Sequence, residues 1–359
     1  MEELLKFMDI IPDEREQHKV LHKLKDIIVI VLFAKLANAD DWQEIHYFAV
    51  IHETLLREYI ELENGIPSHD TIERNFAIIE PAYLQVIQTK FNKMLSEGKG
   101  EKLKKILAID GKTQRGNGNK QQNANHIVSA VDENGICLGQ TLVQEKSNES
   151  TAIPELLENL NIKGQIVTID AMGTQTDIAT KIRKKEADYI LALKGNQETL
   201  HNDVKLYFED SEFLKKCEYY YTIEKARGGL EKREYWQSDD IVWLSQKDKW
   251  DALKTIGMTK NTIMRKDKKI QETRYFISSL ATNAKEFGRC VRGHWVVESF
   301  HWHLDVTFRE DANQTLEKRS AFNLNIINKI VLSVLKICDL GMKPMSLKKK
   351  RYSISLDPL

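Results

Sequence analysis

Over residues 1–95 the apolar positions fall at helical spacing, and beyond residue 101 the rhythm shortens to that of strands. Residues 25–39 are a mostly apolar stretch, and Trp42, Ile45, Phe48 and Ile51 follow at the interval that lines one helical face. Gly65-Ile66-Pro67-Ser68 interrupts the pattern, and Ser68 is placed to cap a helix starting near His69. Phe76, Ile79, Leu84, Ile87, Phe91 and Leu95 continue it, giving a helical N-terminal domain over 1–95. The polar, glycine-containing segment 96–101 marks its boundary.

The next region, 101–340, reads as an α/β domain. Short apolar runs at 106–110 and 126–132 predict strands, and Asn134-Gly135 predicts a hairpin turn into a third strand at 136–143. A helix at 150–160 with Ser150 as its cap, a strand at 165–170, a helix at 176–185 and a strand at 188–193 follow. Three antiparallel strands and then alternating helix and strand predict a mixed sheet. Between 195 and 285 the pattern is less regular. Short β-like pieces at 218–224, 232–237, 241–244 and 273–280 predict a strand-rich insertion. The chain turns helical again from Gly288, with a strongly apolar helix at 322–337, and 341–359 forms a basic C-terminal tail.

Composition narrows the function classes. The 359 residues are 42% hydrophobic and 30% charged, enough apolar content to bury a core. Lys and Arg number 53 against 53 Asp and Glu, so binding to nucleic acid would depend on local clustering of charge. Cys137, Cys217, Cys290 and Cys338 form no C-x-x-C pair, which argues against a zinc ribbon or disulfide framework and fits a reducing cytoplasm. The apolar run 27–34 is too short to span a bilayer, and the acidic N-terminus lacks signal-peptide features. A cytoplasmic protein without membrane contact is expected.

Two aspartates end predicted strands of one sheet: Asp110 in Ile-Asp-Gly-Lys and Asp170 in Ile-Asp-Ala-Met-Gly. The rim of an α/β sheet is where such folds place ligands, and the small residues that follow leave room for close approach. Oxygen ligands of this kind suit Mg²⁺ or Mn²⁺. A third carboxylate, Glu298, shares a helical face with His294, His301 and Asp305, spaced in steps of four, three and four. Three carboxylates from two strands and a helix can hold two divalent ions for in-line displacement at phosphorus.

These residues resemble those of a known family. Ile-Asp-Gly-Lys (109–112), Asp-Ala-Met-Gly-Thr-Gln (170–175), Leu-Lys-Gly-Asn-Gln (193–197) and the long helical motif at 294–311 are similar to bacterial DDE transposases of the H-repeat-associated type, within the insertion-sequence-four-like group. Gly-Ile-Pro-Ser-His-Asp-Thr (65–71) resembles the associated domain that precedes their catalytic core. The likeness implies a ribonuclease-H-like core interrupted by a β-rich insertion, with Asp110, Asp170 and Glu298 as catalytic, metal-binding residues. It also implies cleavage at the terminal inverted repeats of an insertion element, strand transfer into target DNA, and a homodimer in the synaptic complex. The wider group carries Tyr seven and Arg four residues before its glutamate and Lys seven after. Here those positions are Val291, His294 and Asp305, so the DNA contacts of that signature do not carry over.

Basic residues gather near the first predicted strand: Lys99, Lys102, Lys104, Lys105, Lys112, Arg115 and Lys120. Lys343 and 348–351 form a second cluster. Lys112, Arg115, Arg292 and His294 are the candidate DNA contacts, and salt-sensitive binding is expected of them. Two rival readings remain. One is a DNA-binding relative without catalysis. The other is a metallohydrolase whose transition metal sits on His294, Glu298 and His301, a geometrically feasible helical set.

Overall fold

A computed structural model describes residues 2–96, 105–144, 147–226, 229–265, 268–337 and 345–356. The N-terminal region holds six helices: α1 (Glu2–Phe7), α2 (Leu24–Leu36), α3 (Trp42–Ile51), α4 (Glu53–Leu56), α5 (His69–Ile78) and α6 (Pro81–Ser96). Asp41 caps α3 by accepting from the Glu44 amide, and Ser68 caps α5 by accepting from the Thr71 amide, so each helix starts where a short polar side chain satisfies a free N–H. Helix α2 is apolar all round because it is interior: Ile27 through Leu32 are wholly buried.

The sheet has nine strands: β1 (Ile106–Thr113), β2 (His126–Asp132), β3 (Cys137–Leu142), β4 (Ile166–Ile169), β5 (Asp188–Leu193), β6 (Glu218–Ala226), β7 (Gly229–Ser238), β8 (Thr255–Arg265) and β9 (Lys268–Ser278). Their spatial order is β3-β2-β1-β4-β5-β9-β8-β7-β6. The first three pair antiparallel, β4 and β5 continue parallel to β1, and β9 returns antiparallel beside β5. The β-rich insertion therefore extends the same sheet. Strand β8 has no counterpart among the predicted pieces, because Thr259-Lys260-Asn261 breaks its apolar run at half-buried positions. Conversely, 241–244 is a turn rather than a strand, although Ile241 and Leu244 are buried.

Seven more helices complete the chain: α7 (Glu149–Glu158), α8 (Thr176–Lys184), α9 (Glu198–Glu209), α10 (Ser211–Leu214), α11 (Ala284–Val306), α12 (Lys318–Ile337) and α13 (Leu347–Leu356). Leu107, Ile109, Val167, Tyr189 and Leu191 point to one face of the sheet, where they join a core with residues of α7, α8 and α9. On the other face, Ile106, Ile166, Ile190 and Phe276 form a row against Phe287 and Cys290 of α11. Further along α11, Val297, Phe300 and Leu304 enter a core shared with α12 and the N-terminal helices. The N-terminal helices thus share one core with α11 and α12. Asn323 of α12 donates to the carbonyls of Phe76 and Ile79 at 2.8 Å each, tying α12 to the end of α5.

Helix α12 is long and apolar enough to cross a membrane by length and composition, yet 83% of its apolar window is buried in the protein interior. The basic tail also has an interior role. Arg351 is fully buried, donates to the carbonyls of Lys35 and Thr307 and to Asp40, and lies over the Phe308 ring. It is a structural cation, which corrects its place in the basic cluster. Lys99, Lys102, Lys104, Lys343 and Cys338 lie outside the described residues.

Candidate active site

The site grows out of the row of side chains beneath α11. Cross-strand pairing aligns Ile109 with Ile169 and Ile169 with Leu191, so Asp110 and Asp170 emerge level with each other as β1 and β4 reach the rim. Side chains two residues apart share a face of a strand. Four residues beyond Ile106 and Ile166, the buried apolar row therefore becomes a pair of carboxylates. Asp170 is held by its own turn, its Oδ1 accepting from the amides of Met172 at 3.0 Å and Gly173 at 3.4 Å. The next loop braces that turn: Asn196 donates to the Ala171 carbonyl at 2.5 Å and Gln197 to the Thr174 carbonyl at 3.0 Å.

The sequence reading did not single out Glu149. It is the first residue of α7, and ligand oxygens of Asp110, Glu149 and Asp170 all lie within 4.8 Å of one another. Among the described residues this is the group of acidic or histidine ligands that closes tightly enough for a metal ion. Gly111 makes the approach possible. A Cβ there would stand 2.1 Å from Glu149 Oε1 and 2.6 Å from His126 Nε2, closer than real atoms pack. His126 Nε2 lies 2.8 Å from Glu149 Oε1, and His126 Nδ1 lies 2.8 Å from the Thr113 hydroxyl.

Glu298 is outside that close group but opens into the same pocket from α11. The pocket has a volume of about 350 Å³, and its walls include Asp110, Asp170, Lys194, Arg274, His294 and Glu298. Desolvation raises the pKa of Asp170, and the like charges of Asp110 and Glu149 raise it further. The Glu298 carboxyl is likewise pushed up by desolvation, with Arg274 pulling it down and Asp110 up. Crowded carboxylates of this kind call for a cation, and an all-oxygen donor set suits a hard divalent ion.

The other residues on the α11 face have structural partners. His301, 9% exposed, places Nδ1 3.4 Å from Asp110 Oδ2. His294 Nδ1 lies 3.0 Å from the Thr168 hydroxyl, and desolvation holds its pKa below the ordinary value. The two histidines thus face sheet residues separately, and His294, Glu298 and His301 do not close into a ligand trio among the described residues. Asp305 lies 2.7 Å from Lys112, whose ammonium also meets Asp311 at 3.1 Å and Glu310 at 3.2 Å.

The four candidate DNA contacts differ in access. The Lys112 side chain is only 9% exposed inside its carboxylate cage, whereas that of Arg115 is 83% exposed, with Asp311 3.8 Å away. Arg292 lies over the Trp295 ring at 6.0 Å, and Arg274 lies over the same ring at 5.6 Å. His294 is inside the pocket.

Comparison with known proteins agrees with this architecture. A family model described as the transposase DDE domain matches residues 101–334, and one described as DDE_Tnp_1-associated matches residues 5–92. YncI of Escherichia coli O157:H7, named as a transposase candidate, is 40% identical over 99% of this chain and 93% of its own length. The H repeat-associated transposase candidate YhhI of Escherichia coli (strain K12) is 36% identical over 93% of this chain and 90% of its own. A second H repeat-associated transposase candidate from that strain, YbfD, is 40% identical over 65% of this chain and 92% of its own. With a ribonuclease-H-like sheet carrying carboxylates at its rim, the chain belongs to the DDE transposase family.

Proposed function

We propose that this protein cleaves DNA at the terminal inverted repeats of an insertion element and joins the freed strand to target DNA. The observation that carries the reading is the convergence of Asp110, Glu149 and Asp170 within 4.8 Å at the rim of a pocket that Glu298 also lines. Asp110 and Asp170 would hold Mg²⁺ or Mn²⁺, with Glu149 closing the set on the α7 side and Glu298 on the α11 side. A bound pair of such ions would supply positive charge to the attacking and leaving oxygens of an in-line displacement at phosphorus.

The chain's own residues do the positioning. The Asp170 turn, braced by Asn196 and Gln197, fixes one carboxylate. Asp110 is fixed by its strand and by His301 behind it. Rigid placement of reactants accounts for much of the acceleration in phosphoryl transfer. The two steps, hydrolysis at the element end and attack by the resulting 3′-hydroxyl, would use the same site in turn. DNA would lie along the rim, with exposed Arg115 and Arg292 contacting its backbone, and two protomers would bring the two ends together. We place this activity in the cytoplasm.

A strand-cleavage assay on DNA carrying the element's ends, with and without Mg²⁺, tests the reading. Wild type should cleave only with the metal, and Glu298→Gln should bind the ends without cleaving them. Metal-independent cleavage would refute it.

A further inference from the structure

The row of side chains that places the carboxylates does not stop at Asp170. On the same face, four residues beyond buried Ile190 of β5, stands Lys194, just as Asp170 stands four beyond Ile166. Pairing of Leu193 with Tyr275 brings Arg274 of β9 opposite Lys194, two residues from buried Phe276. Read across four adjacent strands, the rim beneath α11 runs Asp110, Asp170, Lys194, Arg274. All four line one pocket. Lys194 is exposed and makes no ion pair among those seen in the described residues. Arg274 is half-buried; its Nε donates to Glu272 at 2.7 Å while its guanidinium lies over Trp295. Trp295 therefore backs the guanidinium with an aromatic face and leaves its remaining N–H groups to the pocket.

We propose that Lys194 and Arg274 form a phosphate clamp, binding the non-bridging oxygens of one DNA backbone phosphate beside the carboxylate group. This rests on the DNA-cleaving reading above and adds the residues that hold the substrate. A polyanion approaching the Asp110, Asp170 and Glu298 carboxylates of this pocket is favoured by cations standing beside them. Lys194 and Arg274, the latter paired with Glu272 in the same wall, would set the backbone across the rim with one phosphate fixed and its neighbour over the carboxylates. Arg274 shares this pocket with Val291 and His294, the helix positions where the wider group carries its Tyr and Arg. Its field reaches both His294 and Glu298. The β-rich extension of the sheet thus supplies a cation to this pocket, which gives that extension a part in the proposed reaction.

The test measures binding of a fluorescein-labelled DNA duplex ending in the inverted repeat that brackets the reading frame, over a range of salt concentrations, and cleavage of the same duplex in Mg²⁺. Lys194→Gln and Arg274→Gln should each lower the slope of log affinity against log salt, together by about 0.9, the contribution of one phosphate, and each should slow cleavage about 10- to 100-fold. Arg274→Lys should restore the slope. Lys184→Gln, on the far side of the sheet in α8, should leave both unchanged. If both glutamine variants keep the wild-type slope and rate while Asp170→Asn is inactive, the clamp is wrong and the carboxylate site stands. If Asp170→Asn still cleaves, the site assignment fails whatever the slopes show. If Arg274→Lys matches Arg274→Gln in slope and both melt at lower temperature, Arg274 is a packing partner of Trp295 and the clamp is overturned at that residue.

Discussion

His301 Nδ1 lies 3.4 Å from Asp110 Oδ2, so a nearly buried imidazole on α11 stands directly behind the carboxylate at the rim end of β1. Its other nitrogen, Nε2, is buried without a hydrogen-bond partner. The ring is therefore oriented toward Asp110 by packing, and under the proposed reading it would act on the reaction through Asp110's orientation. Supporting groups of this kind typically change metal affinity or activity 10- to 100-fold. His301→Gln should slow cleavage by about 10-fold or more and raise the Mg²⁺ concentration needed for half-maximal rate. Duplex affinity without metal should stay at the wild-type value. Unchanged metal dependence would remove His301 from this role.

The crowded carboxylates predict a trade between stability and metal binding. Desolvation and like charge raise the Asp170 pKa, so the ionised group costs the metal-free fold stability at neutral pH. Asp170→Asn should melt a few degrees higher than wild type in chelator. Adding Mn²⁺ should raise the melting temperature of wild type but not that of Asp170→Asn. A variant less stable than wild type in chelator, or one that still responds to Mn²⁺, would contradict this account.

Lys112 is better described as a keystone than as a DNA contact. Its ammonium meets Asp305, Glu310 and Asp311, and the Glu310 side chain is only 3% exposed. Burial opposes the charge, but the three carboxylates more than offset it and hold the lysine's pKa above the ordinary value. Removing the cation leaves Glu310 buried beside two other acids. Lys112→Met should destabilise the fold by about 3–5 kcal/mol in urea denaturation. A loss under about 0.5 kcal/mol, the usual range for a surface substitution, would show that the cage is not structural.

Lys35 gives a pH signature. Wholly buried beside Asp40, Arg351 and Glu310, it has its pKa lowered from the ordinary 10.5 to about 8, with desolvation as the main cause. The folded chain then binds fewer protons than the unfolded chain between pH about 8 and about 10.5. This group's contribution makes stability rise with pH across that window, and its penalty is fully present below it. Relative to Lys35→Met, wild type should gain on the order of 1–3 kcal/mol between pH 8 and 10. A constant difference across those pH values would refute the assignment.

Much of the site was legible because strand ends are legible. The runs ending at Asp110 and Asp170 are short, apolar and followed by small residues, and the rim position follows from that pattern alone. The face shared by His294, Glu298, His301 and Asp305 was likewise readable from helical spacing. Glu149 was not, because its role depends on how α7 folds back over the rim. A helix expected to start at Ser150 leaves Glu149 just outside it, whereas the helix begins at Glu149 itself. Arg274 escaped for a similar reason: in sequence it is one charged residue of a predicted β-like piece, and only the pairing of β5 with β9 sets it beside Lys194. Lys112, expected to contact DNA, and Arg351, expected in a basic cluster, show in sequence their charge but not the carboxylates and carbonyls that surround them.

The most direct test of the account compares wild type with Asp110→Asn in one experiment: binding and strand cleavage of a duplex bearing the element's end, in Mg²⁺. The account predicts near-equal binding and no cleavage by Asp110→Asn. Cleavage by Asp110→Asn at the wild-type rate would contradict it.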